Sequence, residues 1–181
     1  KQLGQPEGDV EKLMADIRSN IEREVKARAR SRTKASVFDS LLEAGEFDVP
    51  KALVDSDAES RVVAAREDLK QRGVPNAESI PIPKEAFSAE SERRVRLGLL
   101  VSKLVETADL QAKPEQIRTR IEEMAQNYEQ PAQVVAYYLS DRQRRAEIEA
   151  VVLEDNVVDH VLSKAQATDE KVDFDELMGT A

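Results

Sequence analysis

The chain has 181 residues, 40% apolar and 35% charged, with no cysteine and a formal net charge of −9, a soluble, ordered composition for one domain or two small ones. The acidic balance argues against a general nucleic-acid binder, since phosphate neutralisation needs an excess of Lys and Arg on the binding face. The missing thiols exclude a disulfide framework, a zinc-thiolate site and a thiol nucleophile.

Aromatic residues are only 4%, so the expected core is thin and built from Ala, Val, Leu and Ile between helices. No run approaches the roughly 18 apolar residues of a membrane span. The opening KQLGQPEGDV has neither a signal peptide's apolar region nor an initiator Met, as expected of a fragment from a reducing, cytoplasmic setting.

From Asp9, a fair N-cap, apolar residues recur at Val10, Leu13, Met14, Ile17, Ile21 and Val25, then Ala35, Phe38, Leu41 and Leu42, with no proline until Pro50. The spacing predicts one helix of about 35 residues. It would be roughly 53 Å long, against about 41 Å across for a compact globule of this length, so an elongated molecule is expected. Lys26, Arg28, Arg30, Arg32 and Lys34 sit at every second position. That scatters them over two sides of a helix and reads as a solvated surface ahead of an anion or RNA site. Gly45 is the expected C′ residue.

Glu46 to Pro50 is a short extended link whose proline suits the first turn of the next helix. That helix runs to about Arg72, closed by Gly73, and buries one narrow side through Leu53, Val54, Val62, Val63 and Leu69. Val74 to Pro83, with three prolines, predicts a loop or hinge. A helix resumes from Lys84 to Ala108 with Phe87, Leu97, Leu100 and Leu104 among its apolar residues. Gly98 inside it costs about 1 kcal/mol against Ala, tolerable where close helix contact is wanted. The links Leu41 to Leu53 and Leu104 to Ile117 repeat one device: helix end, acidic residue, one large apolar residue, proline, new helix.

Three helices follow, from about Pro114 to Tyr128, from Pro131 through Tyr138, and from Arg142 to Ala165. The last is expected to bury Ile148, Val151, Val152, Val157, Val158, Val161 and Leu162. Asp173 with Glu176 reads as a capping pair for a final turn at Leu177. Val172, Phe174 and Leu177 would dock that end on the body.

Catalytic chemistry is not indicated. There is no GxGxxG, no P-loop and no triad that the single histidine could serve. Asp155, Asp159 and His160 do not all face one way, so no metal is expected. Glu122 and Glu123 are adjacent on a helix and diverge. What stands out is Arg118 to Leu139, which holds all three tyrosines and Met124. Met124 and Tyr128 (i, i+4), with Val134 and Tyr137 after the turn, can line a shallow apolar face. Methionine adapts its shape and tyrosine tolerates both water and apolar contact, which suits loose binding of varied partners; the same four residues could instead close the local helix hairpin.

Four segments carry a family resemblance: VEKLMADIRSNIERE, SLLEAGEFDVPKALVDS, RRVRLGLLVSKLVETADLQAKPEQIRTRIEEMAQNYEQP and VLEDNVVDHVLSKAQATDEKVDFDELM. Together, in this order, they resemble the C-terminal chaperone domain of trigger factor, the bacterial ribosome-associated folding factor. The resemblance implies an all-α fold, also seen in SurA-like peptide-binding domains, with an elongated helical body and two protruding arms. Residues 1–50 would form the body's long helix, 51–110 the first arm, 111–162 the second, and 163–181 a C-terminal segment docking on the body.

The resemblance implies no cofactor and no ATP, and partners that are unfolded or nascent polypeptides, with no direct contact to nucleic acid or membrane. Met124, Tyr128, Val134 and Tyr137 match an apolar patch of the second arm, Tyr137 standing where the family can have Phe. Phe87, Leu97 and Leu100 become secondary candidates on the first arm. The family's ribosome-docking domain, with its G-F-R-x-G-x-x-P loop, and its FKBP-type prolyl isomerase domain have no counterpart in these residues, and Lys1 is expected just after the isomerase domain. A periplasmic SurA-type core, or a helical scaffold for one folded partner, is the alternative.

Overall fold

The computed structural model describes residues 10–126 and 128–179. Among the described residues the secondary structure is helical throughout: α1 Val10–Ala44, α2 Lys51–Gln71, α3 Ser88–Ala108, α4 Pro114–Ala125, α5 Pro131–Ser140, α6 Arg142–Lys164 and α7 Phe174–Met178, with 3-10 turns at Ala77–Ser79 and Lys84–Phe87. The helix α1 has the expected 35 residues; Asp9, its expected N-cap, lies outside the described residues. Its sequence contains neither Gly nor Pro and is rich in Ala, Arg, Glu, Lys and Leu, the strong helix formers. Only Val37 and Leu42 of its side chains are fully buried, so much of α1 stands on intrinsic preference and local ion pairs such as Arg28 with Glu24 at 2.7 Å.

Helix α1 serves as a spine. Helices α3, α6 and α7 pack on it, α2 packs on α3 and on both 3-10 turns, and α4, α5 and α6 pack on one another. Ile117 and Ile121 of α4 meet Ile148 and Val152 of α6 in the buried cluster of this last group, with Ala112, Met124, Val135 and Tyr138 packed around it. The total accessible surface is 13737 Å², against about 8,800 Å² for a compact protein of this mass. The excess follows from thin layers hung on a long rod, which leave much apolar surface uncovered.

Several local expectations change. Gly45 does not adopt positive φ; space is what requires glycine there, because a Cβ would lie 2.5 Å from Leu100 Cδ2. Gly73, at φ +75°, does close α2 in the left-handed region. Gly98 has no neighbour within 4 Å of its would-be Cβ, so no close helix contact accounts for it. The first turn of the Lys84–Ala108 segment is 3-10, not α. The two similar links differ in register, with Pro50 the N-cap of α2 but Pro114 the first residue of α4. Asp173 is the N-cap of α7 but makes no side-chain capping bond, and Phe174 is 51% exposed, leaving Val172, Leu177 and Met178 as the half-buried residues of the terminal segment.

Candidate functional site

The tyrosine-bearing region is built on a pinned link. The Lys113 N–H donates to Gln116 Oε1 at 2.9 Å, Gln116 Nε2 donates to Asn156 Oδ1 at 2.8 Å, and Asn156 Nδ2 donates to the Leu110 carbonyl at 3.1 Å. These bonds tie the entry of α4 to the middle of α6. Ile117, Ile121 and Ala125, at i, i+4 and i+8, then turn one stripe of α4 inward.

Helix α4 ends at Ala125, earlier than the periodicity predicts. Pro131 opens α5 and forces Gln130 toward extended backbone (φ −128°, ψ 73°), so the chain needs the preceding residues for a turn. Tyr128 falls in that turn, its N–H donating to the Ala125 carbonyl at 3.0 Å. Its i, i+4 relation to Met124 on a continuous helix is therefore lost.

The four expected residues divide into two kinds. Met124 is half-buried against the Ile117–Val152 cluster, and Val134 is half-buried too. Tyr128 and Tyr137 are 57% and 55% exposed. Tyr138 packs on the core while its ring meets Tyr137 edge to face, 5.6 Å apart at 88°. The inner tyrosine thus props the outer one, a geometry favoured by the ring quadrupoles. Closing the hairpin and presenting an aromatic surface are both observed, on different residues.

Arg144, in the first turn of α6, lies over the Tyr137 ring at 3.6 Å from its centroid and donates from Nη1 to the Tyr137 carbonyl at 3.0 Å. Asp141, the N-cap of α6, accepts from the Arg144 N–H at 2.9 Å. That backbone bond comes first in holding the Asp141 carboxyl below its ordinary value; burial pulls the other way, and the Arg144 charge assists.

On the other helical group, Phe87, Leu97 and Leu100 are all half-buried. Leu100 is engaged with α1 through its contact at Gly45, so part of its apolar surface is already used in packing. The pattern also leaves a surface that periodicity alone did not single out. Val10, Met14, Ile17 and Ile21 of α1 share one face at 4-3-4 spacing and are all exposed, Met14 to 62%. Spacing marked them as one face; it could not tell that nothing in the rest of the described chain covers it.

The alternating basic run is not simply solvated. Arg30 donates to Asp155 and to Asp159, both at 3.1 Å. Arg32 pairs with Glu176 at 2.9 Å and Glu170 at 3.5 Å, Lys34 pairs with Glu154, and Arg28 donates to the Met178 carbonyl at 3.0 Å. The run is the seam that receives α6 and the C-terminal segment. Burial is the largest influence on the Lys34 ammonium and holds it below its ordinary value. The carboxylates that could have served a metal beside His160 are engaged with Arg30, and among the described residues no group of His, Asp or Glu has metal-holding geometry.

Residues 9–163 match the family described as bacterial trigger factor protein (TF) C-terminus. The chain belongs to the trigger factor C-terminal family. It is 79% identical over all 181 residues to a trigger factor of Bordetella petrii and 77% identical to one of Bordetella pertussis, spanning 42% of each of those proteins. It is also 53% identical over 177 residues to a trigger factor of Paraburkholderia phymatum, spanning 98% of this chain and 40% of that protein. The chain thus spans about two fifths of the length of these relatives. Among the described residues no helix is long and apolar enough to cross a membrane.

Proposed function

We propose that these residues form an ATP-independent chaperone module that holds unfolded or nascent polypeptides on exposed apolar surfaces in the cytoplasm. The observation that carries the reading is the set of large apolar side chains left open to solvent, Tyr128, Tyr137 and Leu139 around one turn and Val10, Met14, Ile17 and Ile21 along α1. Exposed apolar patches beyond the ordinary scatter mark interaction surfaces. Each patch binds an extended chain weakly, and several acting on one chain add avidity.

In this reading residues 51–110 and 111–162 are the two arms, and residues 1–50 with 163–181 form the body. Tyr128 and Tyr137 are the primary grips, Met124 and Val134 support them from half-buried positions, and Phe87, Leu97 and Leu100 offer a weaker surface on the first arm. Prolyl isomerisation and ribosome docking belong to other parts of a longer protein, and the present residues carry no catalysis.

The test is suppression of aggregation of a chemically unfolded client. Tyr128→Ser with Tyr137→Ser is expected to lower suppression with helicity unchanged, because both rings are more than half exposed. Unchanged suppression would remove these residues from the site. Met124→Ser serves as the packing control and is expected to lower thermal stability first.

A further inference from the structure

We infer that Arg144 is the positioning residue of the Tyr137 grip: its guanidinium, fixed between the end of α5 and the start of α6, holds the exposed ring in one pose and leaves the other face open for a client's apolar side chain. This rests on the client-holding reading above and assigns Arg144 a role in it that needs no contact with the client.

An exposed side chain on a helix surface ordinarily samples several staggered rotamers, and freezing one only on binding costs affinity. Tyr137 is 55% exposed, yet its ring is held on two sides. Tyr138, packed on the Ile117–Val152 cluster, meets it edge to face at 5.6 Å. The Arg144 Cζ lies over it, 3.6 Å from the ring centroid. Among the described residues Tyr128, exposed to the same degree, has no such ring contact.

Arg144 can hold the ring because it is itself engaged. It is half-buried, its N–H donates to Asp141 Oδ1 at 2.9 Å, and its Nη2 lies 3.9 Å from Asp141 Oδ2. Its Nη1 donates to the Tyr137 carbonyl at 3.0 Å. That carbonyl falls in the last turn of α5, where helix carbonyls lack an intrahelical partner, and Ser140 Oγ also donates to it at 3.0 Å. Backbone, guanidinium and ring thus close a loop across the corner between the two helices, with Asp141 as its anchor. The carboxylate and the carbonyl take up edges of the guanidinium, so it serves the ring and does not offer a charge to a client. Arginine suits the place because its planar group stacks on an aromatic face while its edge N–H groups donate in the plane.

The experiment titrates the chain with an unstructured fluorescent peptide carrying phenylalanines among uncharged residues, and reads the Tyr137 χ1 couplings by NMR. Arg144→Ala is expected to average those couplings and to weaken binding about two- to tenfold, the cost of immobilising one side chain on binding, with unchanged far-UV circular dichroism. Arg144→Lys keeps the charge but cannot lie flat on the ring, and is expected to weaken binding in the same way. In a Tyr137→Ser background Arg144→Ala should cause no further loss, because a positioning residue acts only through the ring it positions. Tyr137 couplings that stay fixed without Arg144, unchanged or tighter binding once they average, or an equal loss in the Tyr137→Ser background would each overturn the positioning role and leave client holding intact. Failure of the peptide to bind the parent chain overturns the client-holding reading as well.

Discussion

Ile121→Ala is the sharpest test of where the second helical group gets its stability. Ile121 is 0% exposed and sits in the cluster with Ile117, Ile148 and Val152, so truncation leaves a hole that α4 and α6 can fill only by moving together. Such truncations cost about 2–5 kcal/mol, and Ile→Val about 0.5–1.5 kcal/mol. A thin layer can relax more than a deep core, which places the expected loss near about 3 kcal/mol. For a chain of this size each kcal/mol shifts the melting midpoint by about 2–4 °C. Ile121→Ala should therefore lower Tm by roughly 6–12 °C, and Ile121→Val by about 3 °C. Phe174→Ala is the control, since its ring is 51% exposed and surface substitutions usually stay within about 0.5 kcal/mol. The assay is thermal unfolding followed by far-UV circular dichroism. A shift below about 2 °C for Ile121→Ala, or an equal shift for Phe174→Ala, would refute the assignment of this cluster as the group's core.

Gly98→Ala should raise stability by about 0.5–1 kcal/mol, because the site is mid-helix with open space around it. Gly45→Ala should not, since its methyl group would meet Leu100; urea midpoints at unchanged slope would separate the two. Arg30→Glu reverses a cation that bonds both Asp155 and Asp159; its destabilisation, about 1 kcal/mol or more at low salt, should shrink at 1 M salt as screening shortens to about 3 Å. For Asp57, burial works to raise the carboxyl, but the Arg61 hydrogen bond and the charges of Arg94 and Arg61 outweigh it and hold it below its ordinary 3.8. The folded value is below the unfolded one, so the contribution is complete above the ordinary range and lost as pH falls through the folded value. Asp57→Asn should accordingly flatten the acid end of a stability profile below about pH 4.

Helix limits set by backbone chemistry were legible from sequence. Pro50, Gly73 and Pro114 each bound an element where their conformational restrictions or freedom require, and the 35-residue helix follows from an uninterrupted run of helix formers. Contacts between distant residues were not. The charges of Arg30, Arg32 and Lys34 looked scattered because their acidic partners lie 120 or more residues away in sequence. The early end of α4 was masked by apolar spacing that continues to Tyr128, although the proline at position 131 carried the signal. Exposure of Val10, Met14, Ile17 and Ile21 was hidden for a more general reason. Periodicity reports which side chains share a face, and only tertiary packing decides whether that face is covered.

The seam between α1 and α6 also constrains the order of events at synthesis. Arg30 must wait for Asp155, made 125 residues later. At about 5–20 residues per second that delay is roughly 6–25 s. During it the spine exists without its acidic counterweight, yet a helix of 35 residues is well beyond the roughly 12–15 at which isolated helices become marginal in water. The spine can therefore keep its shape as a rod while its later partners are still being translated.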